Sequence, residues 1–132
     1  MTATDTTQRT ETRPEVGATV RANGVATNFL EAGSGDPVVL IHGSGPGVSA
    51  YANWRLSLPE LAKELRVLAP DMVGFGYTER PADASYNLQT WVDQLVGFLA
   101  ALGIRRASIV GNSFGGAIAL ALASQRPELV DK

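Results

Sequence analysis

The sequence predicts an α/β fold, a mostly parallel sheet with helices on both faces. Three observations predict it. Short, largely apolar runs at residues 38–41, 66–70 and 107–110 lack the polar–apolar alternation of a half-exposed strand, so they read as strands buried on both faces. Stretches of helical periodicity separate them. Loops rich in Gly follow the runs, at the strand ends where parallel sheets place their sites.

The elements follow in order. Residues 16–31 read as a hairpin, because Asn23-Gly24 supplies the two positive φ values of a type I′ turn. Val20, Val25 and Phe29 would give it one apolar face. Residues 38–41, Val-Val-Leu-Ile, form the first buried strand, and His42-Gly43-Ser44-Gly45-Pro46-Gly47 is the loop at its end. Residues 54–65 are expected to be helical in one or two pieces. Pro59 fits only a first turn, and Ser57 with Glu60 has capping-box spacing around it. Residues 66–70 are a strand ending at Asp71, and Gly74, Gly76 and Pro81 mark a long loop. Leu88, Trp91, Val92, Leu95, Leu99 and Leu102 share one helical face. Gly103 is the residue that would end that helix. A last strand leads into the Gly-Asn-Ser-Phe-Gly turn at 111–115, and the helix after it ends near Pro127.

The chain has 132 residues, 45% hydrophobic and 18% charged, enough for one domain with a real core. Its net charge of −2 gives no electrostatic reason to expect nucleic acid or an anionic membrane as partner. The absence of cysteine excludes disulfides and thiolate chemistry, and one histidine cannot build a His-rich metal site. Residues 1–15 are expected to be a disordered leader, rich in Thr, and 16–132 one domain. The leader has no h-region, and Asp5 and Glu11 argue against a transit peptide. No apolar run approaches the roughly 18 residues of a membrane span. The cytoplasm is the expected location.

Strand, G-x-S-x-G, helix is the context of a nucleophile elbow, which lifts a serine hydroxyl, here Ser113, clear of the sheet. A bland reading, a Gly-rich turn with an incidental serine, fits that context poorly. His42 reads either as the base for Ser113 or as a structural brace for its loop. Asp71 reads either as a triad acid or as an organiser of the Gly-rich turn around it. Asn53 reads either as a cap for a helix starting at Trp54 or as a substrate contact. Asn112 sits within the elbow and reads as a pocket residue. Trp91 and its stripe are core, and Arg105-Arg106 is a solvated pair.

The HGSGPG loop at 42–47, Tyr-Ala-Asn-Trp-Arg at 51–55, the segment from Ala69 to Gly76 and Gly-Asn-Ser-Phe-Gly-Gly at 111–116 together resemble the α/β-hydrolases. More narrowly, they resemble the meta-cleavage-product hydrolases, which cut a carbon–carbon bond in ring-opened catechols. The likeness covers nearly all of 16–132. It implies the N-terminal half of an α/β-hydrolase fold, truncated before the cap, the later strands and the catalytic Asp and His. It implies Ser113 as nucleophile and the backbone N–H groups of Ser44 and Phe114 as the oxyanion hole. Asn53, Asn112 and Gly43 would contact the substrate, the two asparagines orienting the head of a 2-hydroxy-6-oxo-dienoate. No cofactor and no metal is implied, and the full-length protein would be a homo-oligomer. Two other readings stay open: a carboxylesterase on this fold, and a non-catalytic ligand-binding module.

Overall fold

In a computed structural model of the chain, which describes residues 13–132, a two-residue turn opens the fold. Asn23 and Gly24 have φ of 53° and 77°, the positive pair whose twist suits the flanking strands. They join β1 (Ala18–Ala22) to β2 (Val25–Ala32), antiparallel, with Ala22 opposite Val25. The apolar face forms as expected. Ala22 and Phe29 are buried, and Val20 and Val25 pack against the same cluster.

The chain is anchored earlier than residue 16. The Val16 N–H donates to the Arg13 carbonyl at 3.0 Å, and Asn28 Nδ2 donates to the Glu15 carbonyl at 2.9 Å. The Glu15 carbonyl is thus tied to β2 ahead of the first strand. Of the leader expected at residues 1–15, residues 1–12 lie outside the described residues.

Three further strands complete the sheet: β3 (Pro37–Ile41), β4 (Arg66–Pro70) and β5 (Ser108–Gly111). The order is β1-β2-β4-β3-β5. β3 pairs in parallel with β4 on one side and β5 on the other, while β2 meets β4 antiparallel. The sheet is therefore mixed, with three parallel strands and an antiparallel hairpin at one edge. Successive side chains alternate between two cores. Val39, Ile41 and Leu68 join one, and Val38, Leu40, Val67 and Ala69 join the other. Both faces are covered, which is why these strands read as unbroken apolar runs.

α1 (Ala50–Trp54) and α2 (Leu58–Leu61) cover the second core through Ala50, Trp54, Leu58 and Leu61. The helical stretch expected at 54–65 therefore starts earlier and breaks. Ser49 Oγ caps α1 by accepting from the Ala52 N–H at 3.1 Å, and Trp54 is that helix's last residue. Pro59 does sit in the first turn of α2. Ser57 makes no side-chain cap bond, because its backbone is helical (φ −82°, ψ −33°). A capping side chain needs extended backbone at that position, and here the Ser57 N–H is held by the Trp54 carbonyl at 3.0 Å.

α3 (Leu88–Ala101) and α4 (Phe114–Gln125) cover the first core. Asn87 caps α3, its Oδ1 accepting from the Thr90 N–H at 2.9 Å. Trp91, Val92, Leu95, Phe98 and Leu99 are buried, whereas Leu88, at the helix's first residue, is exposed. Gly103 follows α3 with φ 68°, as a helix-ending glycine should.

After α4 a short 3₁₀ turn, Pro127–Leu129, brings the chain back to the sheet. Val130 bridges Ala107 in parallel. The Asp131 N–H donates to the Ala107 carbonyl at 2.9 Å, and the Ile109 N–H to the Lys132 carbonyl at 2.8 Å. A further strand thus begins to form on the outer edge of β5 within these residues.

Candidate active site

β5 ends at Gly111 and α4 begins at Phe114, so the turn between them is only two residues long. Ser113 takes φ 57°, ψ −115° to make it. For a residue with a Cβ that backbone costs about 1–3 kcal/mol. The Gly115 N–H donates to the Asn112 carbonyl and the Gly116 N–H to the Ser113 carbonyl, each at 2.8 Å. A Cβ on Gly111 would overlap the Gly115 carbonyl, and one on Gly115 would overlap the Ile41 carbonyl and stand 2.6 Å from the His42 carbonyl. Both glycines are required by space, not only by conformation. The outcome is an exposed Ser113 at the carboxyl edge of the sheet.

The loop after β3 lies against this turn. A Cβ on Gly43 would stand 3.2 Å from the Asn112 carbonyl oxygen and 3.7 Å from Ser113 Cβ. Sheet order explains the meeting. The chain leaves β3 toward β4 on one side and returns to β5 on the other, and open α/β sheets form their crevice where the order reverses. The Asn112 N–H continues the pairing by donating to the Ile41 carbonyl at 3.0 Å.

His42 is fully buried at the end of β3. The Met72 N–H donates to its Nε2 at 3.0 Å. That nitrogen must be an acceptor, so Nδ1 carries the proton and donates to the Gly43 carbonyl at 2.7 Å. Burial pushes the His42 pKa down, opposed by the bond to the Gly43 carbonyl and by the Asp71 charge. The ring packs edge-on to Phe75 at 5.0 Å between centroids. With both nitrogens engaged, His42 is a structural brace and not the base for Ser113. Its bond also orients the neighbouring amide. In a trans peptide the N–H points opposite to the C=O, so the Ser44 N–H is directed away from the His42 ring.

Asp71 is fully buried too. Its Oδ1 accepts from the Ala50 N–H at 2.7 Å. Its Oδ2 accepts from the Tyr77 N–H and from Asn28 Nδ2, both at 2.9 Å. The carboxylate ties α1, the Gly-rich loop and β2 together, the organiser's role rather than a triad acid's.

Asn53 lies inside α1, so it does not cap that helix. Its Oδ1 accepts from the Gly43 N–H at 2.9 Å and from Asn112 Nδ2 at 2.9 Å. The Gly43 N–H and C=O are therefore both engaged. Among the described residues, the N–H groups of Ser44 and Phe114 have no hydrogen-bond acceptor. The Phe114 ring stands edge-on to Trp91 at 4.7 Å, and Trp91 Nε1 donates to the Val73 carbonyl at 2.9 Å. The helix behind the elbow is thus braced by α3.

The fold gathers Gly43, Ser44, Asn53, Asn112, Ser113 and Phe114 at one sheet edge. Sequence reasoning missed the polar groups beneath them. Gln94 is buried in α3, its Oε1 accepting from the Val73 N–H at 3.0 Å and its Nε2 donating to Thr27 Oγ1 at 3.1 Å and to the Asp71 carbonyl at 3.2 Å. Asn28 and Thr78 join the same group, the Asn28 N–H donating to Thr78 Oγ1 at 3.0 Å. The signal for Gln94 was available: a polar residue three after Trp91, on the apolar stripe.

The alpha/beta hydrolase fold family matches residues 36–132. The chain is 62% identical over 117 residues to a 2-hydroxymuconate semialdehyde hydrolase of Pseudomonas sp. (strain CF600), covering 89% of this chain and 41% of that protein. It is 53% identical over 121 residues to a 2-hydroxy-6-oxo-2,4-heptadienoate hydrolase of Pseudomonas putida, covering 92% and 44%. Among solved structures, a meta-cleavage product hydrolase from Pseudomonas fluorescens IP01 superposes with a TM-score of 0.90 at 55% identity, over 91% of this chain and 44% of that one. The chain thus spans less than half the length of these relatives. It belongs to the alpha/beta hydrolase fold family and, within it, is similar to the meta-cleavage product hydrolases.

Proposed function

We propose that the full-length protein carrying this chain is a serine-type hydrolase that cleaves a carbon–carbon bond in a 2-hydroxy-6-oxo-dienoate. The observation that carries the reading is the contact of three features at one sheet edge: the strained Ser113 elbow, the Gly43–Ser44 loop and the Asn53–Asn112 pair. A poor nucleophile such as a serine hydroxyl needs a base. Both His42 nitrogens are committed, so His42 is not that base; the family resemblance implies a base and its aspartate in the rest of the full-length protein.

In this reading the dienol is first ketonised, which moves a proton to carbon and creates an electron sink. The 6-oxo carbon is then attacked by Ser113, or by water that the base activates. The Ser44 and Phe114 N–H groups hold the resulting oxyanion. Each such donor contributes about 2.7–4 kcal/mol to the transition state. Asn53 and Asn112 orient the dienoate head, with Gly43 giving it room to approach. Cleavage of the carbon–carbon bond passes its electron pair into the ketonised sink, and protonation gives the 2-hydroxydienoate; attack by water frees the small acid directly, whereas attack by Ser113 leaves an acyl-serine that water then hydrolyses to the same acid. A homo-oligomer in the cytoplasm belongs to the same proposal; among the described residues no helix is long and apolar enough to cross a membrane.

The test is loss of the dienoate chromophore on incubation with the full-length gene product. Steady consumption of 2-hydroxymuconate semialdehyde is expected, abolished by Ser113→Ala. An unchanged chromophore with rapid hydrolysis of a p-nitrophenyl ester would instead make the protein a carboxylesterase. Binding of the dienoate without turnover of either compound would make it a ligand-binding module.

A further inference from the structure

We propose that Asn53 is a positioning residue: its side-chain carbonyl clamps the oxyanion loop to the nucleophile elbow and so sets where the Ser44 N–H stands relative to Ser113. The inference rests on the serine-hydrolase reading above, and it assigns Asn53 a task apart from touching substrate.

Three segments meet on one atom. The Gly43 N–H reaches Asn53 Oδ1 at 2.9 Å from the loop, and Asn112 reaches the same atom at 2.9 Å from the elbow. A backbone N–H can only donate, so the Asn53 atom it meets is the oxygen. The Asn112 atom beside that oxygen must then be its nitrogen. One backbone N–H thereby fixes the flip of both side-chain amides. Asn53 Nδ2 and Asn112 Oδ1 are left without a partner among the described residues.

The clamp is anchored at its base. α1 carries Asn53, and the Ala50 N–H of that helix donates to the buried Asp71 carboxylate at 2.7 Å. The loop is held from two sides. His42 Nδ1 holds the Gly43 carbonyl, and thus the peptide plane that contains the Ser44 N–H. Asn53 holds the Gly43 N–H, and thus the preceding plane. With both planes pinned, the Ser44 N–H has one direction. Without Asn53, the His42 bond alone holds the start of the loop of Gly45, Pro46 and Gly47 that follows, and the plane before Gly43 is free to turn; Gly45 and Gly47 have φ of 147° and 76°.

A neutral ester separates positioning from substrate contact. p-Nitrophenyl acetate lacks the anionic head that Asn53 would touch, so its kcat reads Ser113 and the oxyanion hole alone. In the full-length gene product, Asn53→Ala is expected to lower kcat on this ester by roughly tenfold to a hundredfold, the scale of a small misplacement at the reacting centre, with KM within about twofold. Hydrogen exchange at the Gly43 amide should rise in Asn53→Ala and return toward wild type in Asn53→Asp, which keeps the accepting oxygen. An Asn53→Ala enzyme with wild-type ester kcat and a protected Gly43 amide overturns the proposal. A wild-type protein that turns over neither ester nor dienoate overturns the functional reading instead, and Gly43 exchange then decides the clamp by itself.

Discussion

Gly115→Ala adds one methyl group where the structure has no room for it. The new Cβ would overlap the Ile41 carbonyl oxygen and stand 2.6 Å from the His42 carbonyl oxygen and 2.8 Å from the Ile41 carbonyl carbon. All three atoms are backbone of β3 or the residue after it, in the middle of the sheet. No rotamer change can move them. α4 must lift or β3 must bend, and overpacking of this kind costs about 1–3 kcal/mol. With three backbone contacts inside van der Waals distance, the upper end, ~3 kcal/mol, is expected. Gly116→Ala is the control. Its Cβ would sit 3.6 Å from the Gly111 carbonyl oxygen, an ordinary contact. There the reduced freedom of the unfolded chain should stabilise by up to about 1 kcal/mol. Urea unfolding of the full-length gene product and both variants measures the difference. Equal midpoints for the two alanines, one residue apart, would refute the argument that the elbow glycines are set by space.

Three other outcomes are expected. Ser113→Gly should abolish hydrolysis yet raise stability by about 1–2 kcal/mol, because glycine adopts φ 57° without strain; a lowered melting temperature would show that the elbow stores none. His42 is held neutral by burial, with its pKa lowered. Below an unfolded value of about 6.5 the unfolded chain binds the extra proton, so stability should fall as pH drops through that value toward the folded pKa. His42→Asn should flatten this slope in urea midpoints taken from pH 8 to pH 5, and an unchanged slope would assign the effect elsewhere. Finally, the isolated 132-residue polypeptide should aggregate and show no hydrolase activity. Residues 130–132 cover the outer edge of β5 only as far as Ile109, Val110 beyond them is 42% exposed, and Leu120 of α4 is 75% exposed. A monomer that unfolds in one cooperative transition would contradict this.

Much of this molecule was legible in the residues, and the reasons are local. The Asn23-Gly24 turn, the strand at 66–70, the stripe from Trp91 to Leu99 and the two spacing glycines of the elbow each follow from short-range sterics or from the period of the apolar residues. The misreadings are also informative. Trp54 looked like a helix start because its Ser49 cap lies among loop-like residues, and Ser57 looked like a cap because spacing alone does not reveal backbone angles. Gln94 went unread, although it lies on the apolar stripe and satisfies the Val73 N–H beneath the site.

From the sequence alone came the strand–elbow–helix around Ser113, the fold class and the family resemblance, because these depend on neighbours in the chain. Which of His42, Asp71 and Asn53 did what was decided only by tertiary structure. Each was a polar residue with two readings, and the choice depended on partners 6 to 59 residues away. The Met72 N–H turned His42 into a brace, three donors turned Asp71 into an organiser, and the Gly43 N–H set the face that Asn53 and Asn112 present to the site. A buried polar group takes its role from the donors and acceptors that surround it, and only the folded chain brings those together.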